Sequence, residues 1–261
     1  MYKSLIEPHA PLLTKPEQGT LLYKIVLFRH FIDMLKDGCL YFRRVDTYKD
    51  DLRDSDQTNK DKQISKTSKF EKAPNKTAED YYHATRARTY AACFSTQNTP
   101  YIWNEYSKYN GTVDKNAVCL VFDAEKFITF LNTTYDNSKI YSALENFFLL
   151  NHGLVEYINL EKDSLINTRY LNPIQYSYLK DCKYSSENEF RSTLFVPGFG
   201  QYILPDNTVF NFPDLIKFPF RFESAIKSGV ITRIELSVSH ESKFLEELRE
   251  ELFLKGINLY V

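Results

Sequence analysis

The chain has 261 residues, 43% of them hydrophobic and 26% charged, with 19 Tyr, 20 Phe, a single Trp and a formal net charge of −1. That is the composition of a globular chain with a large core. The near-neutral balance excludes a surface that coats nucleic acid or an anionic membrane through clustered Lys and Arg, and leaves room for a local basic groove. The four Cys (39, 93, 119 and 182) form no CxxC pair and no cleaved leader is visible. A zinc knuckle and a secreted disulfide scaffold are therefore disfavoured, and a reducing, cytoplasmic setting is expected. No apolar run reaches the roughly 18 residues that a membrane span needs.

In chain order, Leu21 to Lys24 reads as a strand. Leu27, Phe28, Phe31, Ile32 and Leu35 then recur at helical spacing, with Gly38 placed for a left-handed cap. Cys39 to Phe42 is a second strand. From about 48 to 80, Lys, Asp, Asn, Ser and Thr crowd out apolar residues, which predicts a long polar loop or lid within one domain. Tyr90 to Ser95 reads as a strand, and Thr99-Pro100 as the start of a helix carrying Trp103 and Tyr106. Ala117 to Phe122 is a strand of buried type, followed by a helix from Asp123 bearing Phe127, Phe130 and Leu131. Tyr141, Leu144 and Phe148 suggest a helix stopped by His152 and Gly153, before a strand from Leu154 to Ile158. Glu189 to Val196 alternates as a strand, with Phe190 and Leu194 on one face and Glu189, Arg191 and Thr193 on the other. The C-terminus predicts a strand from Val230 to Leu236, a helix bearing Phe244, Leu245, Leu248 and Leu252, and a last strand at Ile257 to Val261, joined as a right-handed parallel crossover. Irregular mixing of short strands and helices makes the fold α+β (irregular α/β): a single domain, 1–261, with a mixed central sheet and flanking helices.

Three constellations can carry chemistry. Glu187, Glu189 and Arg191 are spaced two apart, so a strand presents them on one face, where carboxylates can hold a ribose or a cationic transition state and the guanidinium a phosphate. The alternative is a solvated edge with a surface ion pair. Trp103 and Tyr106, near Tyr101 and Tyr109, can stack a base or nicotinamide, or simply fill a core. Arg43-Arg44 with Asp46, Asp50, Asp51 and Asp54 can bind Mg²⁺ and phosphate, or form a solvated loop. Five His show no ligand spacing, so no metal site is expected, and no Gly-rich phosphate cradle is present. Cys93 is a conceivable nucleophile without an identifiable His partner.

Read in order, several segments resemble one family. Leu40-Tyr41-Phe42-Arg43-Arg44-Val45-Asp46-Thr47-Tyr48 is similar to an "LYFxRxDxF" motif. Tyr90 to Tyr106, with Cys93, Phe94, Trp103 and Tyr106, resembles "CW/CF…MWxxY", and Val118 to Asp123 matches the strand that follows. Gly153-Leu154-Val155-Glu156-Tyr157 resembles "GxVxY", and Tyr184, Glu187, Glu189 and Arg191 fit "FxxExExR". Together these resemble the bacterial and phage family called domain of unknown function 2971. Where that family continues its first motif as "DxxEG", this chain has Asp50 followed by Arg53 and Asp54.

A looser resemblance is to ADP-ribosyltransferases, which use a basic residue, a Ser-Thr-Ser strand and a Glu-x-Glu element in that order. It implies Lys24 or Arg29, Ser95-Thr96 and Glu187-x-Glu189 in those roles, with Glu189 as catalytic carboxylate, Glu187 positioning the acceptor, Ser95 supporting the ribose and Tyr106 or Trp103 stacking on the ring. It further implies NAD as co-substrate and would suit a role in phage–host conflict. Two other functions remain open: a non-enzymatic module that holds a nucleotide or nucleic acid through Arg44, Arg191 and aromatic residues, and a metal-dependent nuclease using Asp46, Asp50 and Asp51.

Overall fold

The computed structural model describes residues 5–48, 53–70, 73–109, 111–114, 116–137, 148–165, 172–204, 206–237, 246, 249–250 and 252–253. Eight strands among them form one sheet: β1 (Leu21–Leu27), β2 (Cys39–Arg44), β3 (Thr89–Ser95), β4 (Ala117–Asp123), β5 (Leu149–Leu154), β6 (Glu189–Phe195), β7 (Leu215–Pro219) and β8 (Ile231–Leu236). Seven helices accompany them: α1 (Phe28–Asp37), α2 (Asn59–Thr67), α3 (Ala78–Arg86), α4 (Pro100–Tyr106), α5 (Ala124–Asn137), α6 (Pro173–Tyr176) and α7 (Phe222–Lys227). The fold is α+β, as expected. Strand pairing within the sheet is antiparallel, and parallel pairing occurs where Ile6 meets Leu150 and in a side ribbon of Glu156–Ile158 with Leu179–Asp181.

The sheet is not a simple ladder. One edge of β3 pairs with β6 along its whole length, and β5 continues beyond β6. The other edge is shared: β1 meets β3 only at Tyr23 opposite Ser95, and β2 meets it only at Arg43 opposite Ala91 and Arg44 opposite Tyr90. The sheet therefore forks over the middle of β3. The β1 arm runs on to β4 and β8, and the β2 arm to β7.

One sheet face carries the main core. Leu22 from β1, Phe94 from β3, Leu120 and Phe122 from β4, and Phe190 and Leu194 from β6 pack there against Phe31 of α1, Phe127 of α5 and Phe222 of α7. The period-two alternation of the strands delivers these residues to one side. On the opposite face, Ile25, Cys119 and Val121 pack under Ile102 of α4. Further along, Phe195 packs with Leu13, Ile174 and Tyr178. Between these two patches the middle of the face is open.

The helix caps follow the sequence reading. Gly38 sits at φ 62 and caps α1, and Thr99 accepts the Ile102 N–H to cap α4. Three expectations need correction. The 48–80 segment is not a bare loop: it contains α2, a short hairpin (Lys69–Phe70 with Ala73–Thr77) and the start of α3. It lacks an apolar face because buried polar groups hold it. Asp61, fully buried, accepts hydrogen bonds from Ser164, the Leu165 N–H and Tyr176, while Gln57 donates to Ser65.

Second, His152 and Gly153 do not stop a helix but lie within β5. The glycine is needed there for close approach, since a Cβ would come within 3.1 Å of Leu13 and 3.2 Å of the Thr14 carbonyl. Third, β6 is no solvated edge: all seven of its residues are buried between β3 and β5. The helix expected around Tyr141 and Leu144 lies outside the described residues. So do the C-terminal helix and last strand, except for isolated positions such as Leu252, which is buried in the main core.

Candidate functional site

A cavity of about 460 Å³ occupies the open middle of the second sheet face and runs into the fork. That lies within the size range of small-molecule sites. Its lining combines tyrosines (23, 41, 48, 101, 106 and 184) with charged groups from separate segments: Lys24, Arg43, Asp54, Glu105, Lys180, Glu187 and Glu189.

Glu189 opens β6, directly opposite Ser95. Alternation sends its carboxylate to the same sheet face as the Arg191 guanidinium. The Arg191 guanidinium has no exposed surface and spends its donors within the protein. Nε and Nη2 reach the two Glu189 oxygens at 2.7 and 2.9 Å, and Nη1 and Nη2 reach the two Asp54 oxygens at 2.6 Å each. Nη1 also donates to Ser55 and to the Ser177 carbonyl. Planar bidentate pairing of this kind is what lets two carboxylates share one buried cation.

Lys180, from the side ribbon, supplies the second cation. Its Nζ lies 2.7 Å from Glu187 and 3.5 Å from both Glu189 and Asp54. Glu187 ends a short turn, Cys182–Glu187, that Asp181 caps by accepting the Lys183 N–H. Asn188 follows at φ 44, a left-handed conformation that Asn tolerates. The turn is clamped from β3: the Ser95 hydroxyl lies 2.7 Å from the Glu187 carbonyl, and the Thr96 N–H and hydroxyl both donate to the Asn188 carbonyl. Across the cavity the Tyr106 hydroxyl donates to Glu187 at 2.8 Å.

These surroundings drive the two glutamates apart. Burial alone would raise the Glu189 carboxyl, but the charges of Arg191 and Lys180 and the Arg191 hydrogen bond outweigh it and hold it well below the usual carboxylate range. Glu187 is raised: burial dominates, and the neighbouring Glu189 charge adds to it against the pull of Lys180. For Lys180, burial is outweighed by Glu189 and Asp54, so the amine keeps its proton more firmly than usual. Burial, with Glu189, pushes the Cys93 thiol far up, so this cavity-lining sulfur stays protonated and is no nucleophile.

The residues expected from sequence are partly brought together. Glu187, Glu189, Lys24, Phe94 and Tyr106 line the cavity. Lys24 rises from the core face of β1 into the fork, where Nζ donates to the Cys93 carbonyl at 3.0 Å and lies 4.8 Å over the Phe94 ring. Ser95 stands beside the cavity as the clamp on Glu187. Arg191 lies beneath the carboxylates with no donor left for a phosphate.

Arg44 points away, because it neighbours Arg43 on β2 and alternation gives the cavity to Arg43. Arg44 pairs instead with Asp46 and Asp214 and donates to the Phe212 carbonyl. Trp103 is also elsewhere, packed against the α4 patch with its indole N–H on Asn98. Arg29 stacks on Tyr109 at 3.6 Å. A nucleic-acid surface built on Arg44 and Arg191 thus loses both residues. Of the nuclease set, Asp46 is occupied by Arg44, and Asp50 and Asp51 lie outside the described residues.

Lys180 was not singled out by the sequence, and Asp54 only as one carboxylate of the Mg²⁺ and phosphate cluster with Arg43 and Arg44, not as a partner of Glu189 and Arg191. Asp54 had a usable signal. Read one residue later, the first motif continues as Asp51-Leu52-Arg53-Asp54-Ser55, which puts Asp54 at the acidic position of "DxxEG". Ser55 then takes the glycine position, and its φ of 59 is the left-handed conformation for which glycine is the ordinary choice. Lys180 offered no such signal, being one lysine in a three-residue strand.

Residues 102–192 match the model of the family described as "Protein of unknown function (DUF2971)", which bears out the resemblance read from the motifs. A search of curated proteins returned no match. Among solved structures, one from Thermus sp. 2.9, "DarT in complex with ADP-ribosylated ssDNA", is similar at 13% sequence identity and a TM-score of 0.34, over 95% of this chain and 96% of that one. No described helix is long and apolar enough to cross a membrane.

Proposed function

We propose that this chain is an NAD-consuming enzyme of the ADP-ribosyltransferase kind, with its reaction centre at Glu189 and Glu187. One observation carries the reading: two glutamates two residues apart face one cavity with their proton affinities driven in opposite directions. Divergent affinities in a carboxylate pair are how one site supplies both a fixed charge and a base.

The lining suits NAD. Tyr106 and its neighbouring tyrosines offer flat faces for the nicotinamide, the carboxylates suit ribose hydroxyls, and Lys24 and Arg43 suit the diphosphate. Neither of those cations is paired with a carboxylate among the described residues. Arg43 makes long hydrogen bonds with Thr47, at 3.3 and 3.4 Å, and lies 5.9 Å from the centre of the Tyr48 ring.

When the bond between ribose C1′ and the nicotinamide nitrogen breaks, the electron pair leaves with the nicotinamide and the ribose becomes oxocarbenium-like. Glu189, kept ionised by Arg191, stabilises that charge from a preorganised position. The acceptor O–H, of a hydroxyl or of water, bonds to C1′ and its proton passes to Glu187.

The test is nicotinamide release from NAD. The wild type is expected to turn over, Glu189→Gln to abolish turnover, and Glu187→Gln to reduce it by about 10²–10⁴-fold with a Tm near that of the wild type. A wild type that releases no nicotinamide, or a Glu189→Gln protein that turns over normally, contradicts the reading.

A further inference from the structure

We infer that Lys180 is a positioning residue of this site, holding the Glu187 carboxylate in place and neutralising the acidic cluster around it. The inference rests on the proposed reaction for its activity readout and on the geometry alone for its structural one. Lys180 Nζ is within 3.5 Å of three carboxylates that come from three separate segments: the chain before α2, the turn ending at Glu187, and the start of β6. Arg191 binds only two of them, Asp54 and Glu189. Glu187 therefore depends on Lys180 for its only cationic partner among the described residues, and on Tyr106 for its other side-chain hydrogen bond.

The amine is itself held in place. It lies 4.9 Å over the Tyr184 ring, and its strand pairs with Glu156–Ile158 in the side ribbon. From that place its charge pulls Glu187 toward the ionised form, against burial and the Glu189 charge.

The groups facing Glu187 can be named from every element around it. Tyr106 and Tyr101 come from α4, Lys180 from the ribbon, Tyr157 from the paired ribbon strand, and Glu189 from β6. Only Lys180 among them is a cation. The tyrosines stay neutral because burial raises them, and Glu189 is a like charge, so removing Lys180 leaves only the Tyr106 hydrogen bond among these groups to oppose protonation of Glu187. An opposite charge at this range lowers a carboxyl by about 1–3 pH units, and its loss raises the carboxyl by a similar amount.

The experiment compares wild type, Lys180→Met, Lys180→Arg and the double variant Lys180→Met/Glu187→Gln. The Glu187 carboxyl is titrated by NMR with carboxyl-labelled glutamate, and NAD turnover is followed against pH. Lys180→Met is expected to move the Glu187 titration, and with it the acidic limb of the turnover profile, upward by about 1–3 pH units. Lys180→Arg keeps a cation and is expected to leave the limb near that of the wild type. If Lys180→Met folds poorly, the double variant removes both charges and is expected to regain much of the lost Tm without regaining turnover. A Glu187 titration unchanged in Lys180→Met overturns the inference. If the titration shifts but the wild type does not consume NAD, the electrostatic role stands and the proposed function fails.

Discussion

Both faces of β6 bury a polar network, and only one of the two is a site. On the cavity face, Arg191 joins Asp54 and Glu189, with Lys180 and Glu187 completing a charged cluster that borders a space large enough for a ligand. On the core face, Ser192 bonds the His152 ring at 2.8 Å and Asn132 bonds its other nitrogen at 2.9 Å. Asn132 donates in turn to Glu7, and Lys15 ties Glu7 to the His152 carbonyl. A Ser-His-Asn array looks like nucleophile chemistry when reduced to residue types. Here His152 and Ser192 have no exposed surface, and burial holds the ring down at about 3, so it is neutral and acts as a staple for the N-terminal segment. Residue type and hydrogen bonding are shared by the two networks. What separates them is access, and the presence of charges that burial alone would not tolerate.

The largest effect that would sharpen this contrast is on stability. Arg191→Met leaves Asp54 and Glu189 buried without their bidentate partner, with Lys180 at 3.5 Å as the remaining cation, and is expected to cost about 3–5 kcal/mol in urea denaturation. A cost below about 1 kcal/mol would mean that the cluster is better solvated than its burial implies.

The second concerns the staple. The folded state keeps His152 neutral down to about pH 3, whereas the unfolded chain protonates it near its ordinary 6.5. The unfolded state therefore binds more protons between those values. This contribution to stability is complete above about pH 6.5 and is lost as the pH falls, at up to about 1.4 kcal/mol per pH unit. Stability measured at pH 7, 5.5 and 4 is expected to fall more steeply for the wild type than for His152→Asn. Parallel slopes would show that the ring is already charged in the folded protein.

The smallest effect is at the clamp. Ser95→Ala removes the hydroxyl that faces the Glu187 carbonyl, and is expected to cost about 1 kcal/mol while lowering NAD turnover by more than that stability loss explains. Equal turnover in Ser95→Ala would leave Ser95 a purely structural residue.

How much of this was legible in the sequence differs between the same two faces. The alternation of Glu189, Phe190, Arg191 and Leu194 gave the correct partition between cavity and core. The helix signals at Gly38 and Thr99-Pro100 also hold, because they are local and each rests on a single backbone requirement. Burial of β6 on both edges was not legible, since charged alternation reads the same at a solvated edge and in a forked sheet. Arg43 and Arg44 could not be told apart without the register that pairs Arg43 with Ala91. Asp54 was legible only as one carboxylate of a polar cluster, and its burial against Arg191 was not, because the segment looked like loop. Lys180 comes from a three-residue ribbon strand with no periodicity to announce it.

The central claim is that the cavity at the fork takes NAD with its ribose against the Glu187 and Glu189 carboxylates. A crystal structure of the protein with a non-hydrolysable carbocyclic NAD analogue tests this most directly. The account predicts the analogue in the cavity, with a ribose hydroxyl or C1′ substituent in contact with one of those carboxylates and the diphosphate toward Lys24 and Arg43. An analogue bound elsewhere, or no binding at millimolar concentration, would contradict it.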